Sequence, residues 1–448
     1  MCYIYIEQED YLMTGMIRNA LNTLVNWKNS PDRKPLVLRG ARQVGKTWLA
    51  REFGRLFYED TFYFSFDRED ALHPIFESSK DPVRIVELLG LLRGRGIKPG
   101  KHLIIFDEVQ ECAAAMNSLK YFCEEAGEYH IVSAGSLLGT LLAQPKSYPV
   151  GKVDLVDIYP LTFDEFLAAT DGPLYAAYSS ADWAGPAGVV FHNRMLEAYA
   201  RYLIVGGMPE CVKTWVKTKD AAKVRQVQGK LVTLYENDFS KHNGKVNSGR
   251  ILLTFRSIVT QLAKENEKFI YGCVKEGARA REFEEAIEWL VSAGMVVRTY
   301  NVRKPEHPLN VFQMLNHFKL FIFDVGLLKH MSGVSNEAIL LKSDYQFKGP
   351  LTENYVLQQI RCIFDVDPKF YAWTGAGQGE IDFLLQNGMD IIPVEVKGGE
   401  NVRAGSFRRY MEKHSPANAI RYSKLKYGKT GAVTNIPLYL AGKTKELM

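Results

Sequence analysis

Lys34-Pro35-Leu36-Val37-Leu38-Arg39-Gly40-Ala41-Arg42-Gln43-Val44-Gly45-Lys46-Thr47 is the stretch from which the fold is read. Its last eight residues fill the pattern G-x-x-x-x-G-K-[ST] at every fixed position. An apolar, strand-sized run, Pro35 to Leu38, precedes them, and a helix-forming run, Trp48 to Phe57, follows. Gly40 and Gly45 permit a tight loop whose backbone N–H groups turn inward around phosphate oxygens. Lys46 brings a point charge suited to β- and γ-phosphates, and the Thr47 hydroxyl is a ligand for Mg²⁺. The helix that follows points the positive end of its dipole at the same anion. The expected nucleotide-binding residues are Gly40, Ala41, Arg42, Gln43, Val44, Gly45, Lys46, Thr47 and Trp48, with Mg²⁺ as cofactor and Lys46 also in a catalytic role.

Downstream, Leu103-Ile104-Ile105-Phe106-Asp107-Glu108 is an apolar strand ending in two adjacent carboxylates. After a phosphate loop, the first acid of such a pair helps hold Mg²⁺. The second, Glu108, is placed to orient and polarise an attacking water. Ser133-Ala134-Gly135-Ser136 ends another strand, with Ser133 and Ser136 as polar groups that would sense the γ-phosphate; a serine-rich turn is the plainer reading. Strand runs at Thr61 to Phe66, Tyr129 to Val132 and Val153 to Ile158 alternate with helical runs such as Arg84 to Leu92 and Met116 to Glu125. That alternation predicts an α/β domain with a parallel sheet covered by helices.

The chain has 448 residues, enough for roughly two to four domains. Its apolar and charged fractions are those of globular protein. No apolar run approaches a membrane span, and no secretory leader is visible, so a cytoplasmic protein with no membrane partner is expected. The six cysteines are scattered without a C-x-x-C pair, which argues against a zinc site or disulfide framework. The net charge of +5 permits contact with nucleic acid without arguing for it.

Met1 to Leu12 fits no later pattern; Met13 and Met16 are alternative starts. Segments 1–30 read as an extension and a helix, with Met16 to Trp27 near helical spacing, and 31–171 as the phosphate-loop core. Thr162-Phe163-Asp164-Glu165 carries a capping-box pattern. Gly172 to Pro186, rich in Gly, Pro, Ala and Ser, reads as an inter-domain connection. A helical lid is expected over 187–245. A winged-helix-like unit is expected over 246–330, ending in the strand Gly294 to Arg298. Lys275, Arg279 and Arg281 within it suit a DNA phosphate backbone if the winged helix forms, a solvated helix face being the commoner meaning of such a run.

In the final segment, 342–448, Glu380-Ile381-Asp382-Phe383-Leu384-Leu385 and Ile391-Ile392-Pro393-Val394-Glu395-Val396-Lys397 read as adjacent strands, with Gly388 in the turn. Alternation puts Glu380 and Asp382 on one face, and Glu395 and Lys397 likewise. Asp382 beside Glu395 would supply hard oxygen ligands for a second Mg²⁺. Lys397 would position or deprotonate a water, and Glu353, on the helix Leu351 to Ile360, would add a further acid. Arg403, Arg408, Arg409 and Lys413 follow as a basic helical stretch.

These residues resemble two known patterns. Glu353, Asp382, Glu395 and Lys397 resemble the PD-(D/E)XK nuclease set. The stretch Lys34 to Thr47 resembles AAA+-type ATPases with a DUF4143 C-terminal region. Ile158-Tyr159-Pro160-Leu161-Thr162-Phe163-Asp164-Glu165-Phe166, Val205-Gly206-Gly207-Met208-Pro209-Glu210 and Asp324-Val325-Gly326-Leu327-Leu328 match further stretches of that family in order. The resemblance implies an AAA+-like core, a helical and winged-helix middle, a C-terminal domain of restriction-endonuclease-like fold, adenine as the base, and sites completed between copies of the chain. Gly151-Lys152 stands where relatives often have Gly-Arg. Lysine lacks the fork of an arginine finger, leaving Lys152 or another residue such as Arg201 for that task. Three readings stand open. One is an ATPase acting on DNA through the nuclease-like domain. In another, ATP hydrolysis switches a complex with an unknown protein partner, the C-terminal domain being a docking module. In the third the nuclease is the enzyme and ATP regulates it.

Overall fold

The structure, a computed structural model, describes residues 16–135, 151–242, 244–264, 268–341, 345–364, 370–375, 379–399 and 405–448. They form two compact units. One comprises Arg18–Tyr159 with Ser292–Met295; the other contains Pro160–Val291 and Val296–Met448.

In the first unit, β1 (Leu36–Arg39), β2 (Asp60–Ser65), β3 (His102–Asp107), β4 (His130–Ala134) and β5 (Asp154–Asp157) form a sheet in the order β2-β3-β4-β1-β5. Every ladder is parallel. These are the five strands expected from the sequence, with ends shifted by a residue or two. β3 and β4 are buried along their whole length, because helices cover both faces of a parallel sheet. On one face Val37, Phe64, Phe106 and Ile131 pack with Phe76, Leu119 and Phe122 of helices Leu72–Ser78 and Ala113–Glu125. Each ring buried there contributes about 2–3 kcal/mol. Against the sheet lies helix Lys46–Phe57, which buries Leu49, Ala50 and Phe53. The N-terminal helix is Ala20–Asn29. Just before it, the Arg18 guanidinium donates to the carbonyls of Val44 (2.9 Å) and Tyr159 (2.7 Å), tying the phosphate loop to the end of the unit.

The second unit is built on an eight-stranded mixed sheet, ordered β12-β13-β11-β10-β9-β8-β6-β7. Its strands are β6 (Val296–Val302), β7 (Gln313–Ile322), β8 (Phe370–Gly375), β9 (Gly379–Asn387), β10 (Asp390–Val396), β11 (Ala419–Ser423), β12 (Gly428–Thr430) and β13 (Val433–Pro437). Three helices, Gly244–Ala263, Tyr271–Val274 and Ala280–Ser292, do precede β6. The strand after them is not confined to a wing. β6 pairs antiparallel with β7 and parallel with β8, so the segments read as 246–330 and 342–448 share one sheet.

The connection expected over Gly172 to Pro186 is also different. Asp171 caps helix Gly172–Ser180 by accepting from Leu174 N at 3.0 Å, and Leu174, Tyr178 and Trp183 are buried. Pro173 is tolerated in the first turn, Ala176 and Ala177 favour the helix, and the few large side chains pack into the second unit; the boundary between units falls at Tyr159/Pro160.

The three stretches that follow the phosphate loop in the family resemblance interlock around one buried carboxylate. Asp324 accepts from Gly207 N (2.7 Å), Leu327 N (3.0 Å) and Gln358 Nε2 (3.3 Å). Leu161 N donates to the Gly207 carbonyl at 2.7 Å, and the Tyr202 hydroxyl donates to the Leu161 carbonyl. The capping box at Thr162 is present, its N–H donating to Glu165 Oε2 at 2.9 Å.

Candidate functional site

The phosphate loop joins β1 to helix Lys46–Phe57. Gly40 (φ +136°), Gln43 (φ +64°) and Gly45 (φ +95°) have positive φ. A Cβ on Gly40 would stand 2.2 Å from the Ile158 carbonyl oxygen, so only glycine fits there. Lys46 is buried, and its Nζ donates to the carbonyls of Gly40 and Ala41 at 2.9 Å each. Burial pushes its pKa down to about 8, against the pull of Glu108 and Asp107.

At the start of that helix, the Thr47 hydroxyl lies 3.0 and 3.1 Å from the two carboxylate oxygens of Asp107, at the end of β3. The structure therefore brings together the two residues expected to hold Mg²⁺. Tyr63 of β2 donates its hydroxyl to Asp107 Oδ2 at 2.6 Å, and Arg51 lies 3.7 Å over the Tyr63 ring. Neither was foreseen. β2 and β3 run in register, Ser65 beside Asp107, and period-2 alternation places Tyr63 on the same face.

Glu108 follows Asp107 in the left-handed region (φ +49°), a conformation a non-glycine residue adopts at a cost. Its side chain accepts from Gln110 Nε2. Arg42 is half-buried and Trp48 is 36% exposed on the loop's helix. Ser133 is not brought to the phosphate loop. It pairs with Val37 and Phe106 and so points to the apolar face opposite Asp107, fully buried, its hydroxyl without a partner among the described residues. Ser136 lies outside the described residues. Lys152 pairs with Glu124 at 2.9 Å, and Arg201, in the second unit, makes a 3.5 Å contact with Glu197.

A cleft of ≈ 800 Å³ in the second unit is lined by Lys319, Glu353, Glu380, Asp382, Glu395 and Lys397, among others. Val394 of β10 stands opposite Phe383 of β9, which carries Glu395 to Asp382, and Asp382 Oδ2 accepts from Val396 N at 2.6 Å. Glu353 reaches the cleft from helix Lys348–Ile360. All four residues expected from the sequence thus line one cleft. Glu395 pairs with Lys397, and Glu380 with Lys319 of β7. Burial and the neighbouring Glu353, Glu395 and Glu380 push the Asp382 carboxyl well up. Burial also raises Glu395, against the pull of Lys397. Burial would lower Lys319, but Glu353, Glu380 and Asp382 outweigh it and the net direction is up. Among the described residues no three His, Cys, Asp or Glu side chains converge closely enough to hold one metal ion. Of the basic stretch after β10, Arg408 lies 3.6 Å from Glu412, and Arg403 is outside the described residues.

A parallel sheet in this strand order, a phosphate loop after the interior strand β1 and an acid pair at the end of β3 define a P-loop nucleotide-binding domain. Residues 32–167 match the model of a family described as AAA domain. Residues 196–338 and 348–439 match two domains of unknown function, DUF8612 and DUF4143. The phosphate-loop sheet, β1 to β5, thus falls within the match to the AAA domain, and the C-terminal strands β8 to β13 within the match to DUF4143. It is 23% identical over 363 residues to the uncharacterized protein Rv2008c of Mycobacterium tuberculosis, covering 79% of this chain and 68% of that one. Among solved structures it is similar to the Aeropyrum pernix ORC1 protein in complex with DNA, at 15% identity and a TM-score of 0.27, covering 71% of this chain and 93% of that one. It is also similar to the Thermotoga maritima RuvB Holliday junction branch migration motor, at 11% identity and a TM-score of 0.28, covering 74% and 96%. Among the described residues no helix is long and apolar enough to cross a membrane.

Proposed function

We propose that the first unit binds Mg-ATP and hydrolyses it. The observation that carries this reading is the Thr47 hydroxyl held against both oxygens of Asp107, beside a loop whose lysine is buried. A hydroxyl and a carboxylate are hard donors that suit Mg²⁺, and loop amides with Lys46 suit the phosphates. Mg²⁺ supplies charge neutralisation on the β- and γ-phosphates. Lys46 exchanges its two loop carbonyls for phosphate oxygens. Glu108 orients a water toward the γ-phosphorus and polarises its O–H, and ADP leaves with its charge held by the loop.

A second proposal concerns the C-terminal cleft. Asp382 beside Glu395, with Lys397 and Glu353 in the same cleft, favours a restriction-endonuclease-like site acting on the phosphodiester backbone of DNA, coupled to the ATPase. The acids of this cleft are hard oxygen donors of the kind a divalent cation takes, although among the described residues no three of them converge on one point as they stand, and Lys397 would hold or deprotonate a water. The test is ATP hydrolysis with and without duplex, forked and single-stranded DNA, scoring DNA cleavage in the same tubes. Wild type is compared with Lys46→Ala and Asp382→Ala. Hydrolysis lost in Lys46→Ala supports the ATPase; cleavage lost in Asp382→Ala supports the nuclease. Hydrolysis indifferent to DNA, with no cleavage, would instead favour an ATP-driven switch for a protein partner with a C-terminal docking domain.

A further inference from the structure

We propose that Lys319 is the resident counter-ion of the C-terminal cleft, competing with a divalent cation for its carboxylates. The inference rests on the reading of that cleft as a cation site. Four carboxylates line it, Glu353, Glu380, Asp382 and Glu395, against three ammonium groups, Lys319, Lys348 and Lys397. Lys397 stands two residues from Glu395 on the same strand run, so their pairing is local. Lys319 arrives by a different route. It lies on the edge strand β7, separated from β9 by two intervening strands, yet its head pairs with Glu380 while its side chain is only 16% exposed.

A buried ammonium is tolerated only with opposite charge at hand, and carboxylates gathered in one cleft need a cation as much. Lys319 meets both needs at once. With Glu380 held by Lys319 and Glu395 by Lys397, the acids are drawn to two separate partners, and no three converge on one point among the described residues. A dication prefers several oxygen ligands at once, so its entry requires Glu380, and the field of Lys319, to be given up. Lys319 also lies within the segment 196–338, not within 348–439, so the cleft as built draws on both matched regions.

The test is Mn²⁺ binding to the full chain without nucleotide, read from the paramagnetic resonance of free Mn²⁺, with Asp382→Asn marking the cleft's share. Lys319→Met removes the charge and keeps most of the unbranched length; Lys319→Gln is the second neutral variant should the first not fold. Lys319→Arg keeps the charge. The expected result is binding about tenfold tighter, or more, in the neutral variants, unchanged or weaker binding in Lys319→Arg, and loss of that binding in Asp382→Asn. Wild type and neutral variants binding alike, through a site that Asp382→Asn abolishes, would overturn the competition while leaving the cation site standing. No Mn²⁺ bound in an Asp382-dependent way by any variant would overturn both.

Discussion

Gly206 and Gly326 meet backbone to backbone: a Cβ built on Gly326 would stand 2.6 Å from the Gly206 Cα and 2.7 Å from its nitrogen. Gly206 has φ +76°, so it is bound to glycine by its own conformation as well as by space. Gly326 sits in helix Val325–Ser332, where alanine would otherwise be favoured. Gly326→Ala is therefore expected to lower the stability of the second unit by about 2–4 kcal/mol through overpacking, against its better helix propensity. The check is the midpoint of urea unfolding; an unchanged or raised midpoint would show the two backbones free to part.

Asp324, at the centre of the same knot, is fully buried, and burial pushes its pKa up to about 6 despite the hydrogen bonds it accepts. In the unfolded chain the group titrates near its ordinary value of 3.8. Between those values the folded state binds more protons, so stability falls as pH rises from about 4 to 6, by about 2–3 kcal/mol. Asp324→Asn should flatten that slope. It should also cost about 1–3 kcal/mol below pH 4, because an amide nitrogen cannot accept from both Gly207 and Gln358. Urea unfolding across this pH range reads both effects.

His130 in the first unit has the opposite sign. Burial first, then Arg33 and Lys28, push its pKa down to about 4, and its Nδ1 lies 2.7 Å from the Tyr58 hydroxyl. The imidazole stays neutral in the fold, whereas the unfolded chain takes up a proton below 6.5. Stability of this unit should therefore be lost as pH falls from 6.5 toward 4, by about 2–3 kcal/mol. Trp27, whose ring lies 5.9 Å from His130, offers a local fluorescence probe of that unfolding. A His130→Phe variant that still lost the full amount over this window would show that another group carries it.

What could be read beforehand was local. The phosphate loop, the strand ending in Asp107-Glu108 and the paired strands around Asp382 and Glu395 each declare themselves in one short contiguous stretch. Period-2 alternation from Ile131 would also have turned Ser133 to the apolar face. Tyr63 and Lys319 were not legible, because each reaches its carboxylate through sheet register: Tyr63 from the neighbouring strand, Lys319 across two intervening strands. The stretches around Leu161, Gly206 and Asp324 were visible as patterns, but their role as one hydrogen-bonded knot depends on segments far apart in the chain. Small-residue composition misled at Gly172 to Pro186, where one capping aspartate and three large side chains were enough to pack the segment.

Tyr63 gives a prediction that separates holding Asp107 from being Asp107. Its hydroxyl donates to Oδ2, while Thr47 donates across both oxygens, so Asp107 is fixed from two sides before any cation arrives. Removing Asp107's charge should lower ATP hydrolysis about 10²–10³-fold, as removal of a main electrostatic contact does. Tyr63→Phe takes away one neutral donor to a charged group, worth about 1.5–3 kcal/mol at most, part of which Mg²⁺ itself recovers by pinning the carboxylate. The expected outcome is a loss of about 3–10-fold, seen as a raised Mg²⁺ requirement and relieved at saturating Mg²⁺. Glu108→Gln should differ from both, retaining Mg-ATP binding while hydrolysis falls about 10²–10⁴-fold at every Mg²⁺ concentration. A Tyr63→Phe defect as deep as that of Asp107→Asn, and untouched by Mg²⁺, would place the tyrosine in the chemistry and not in the positioning of its carboxylate.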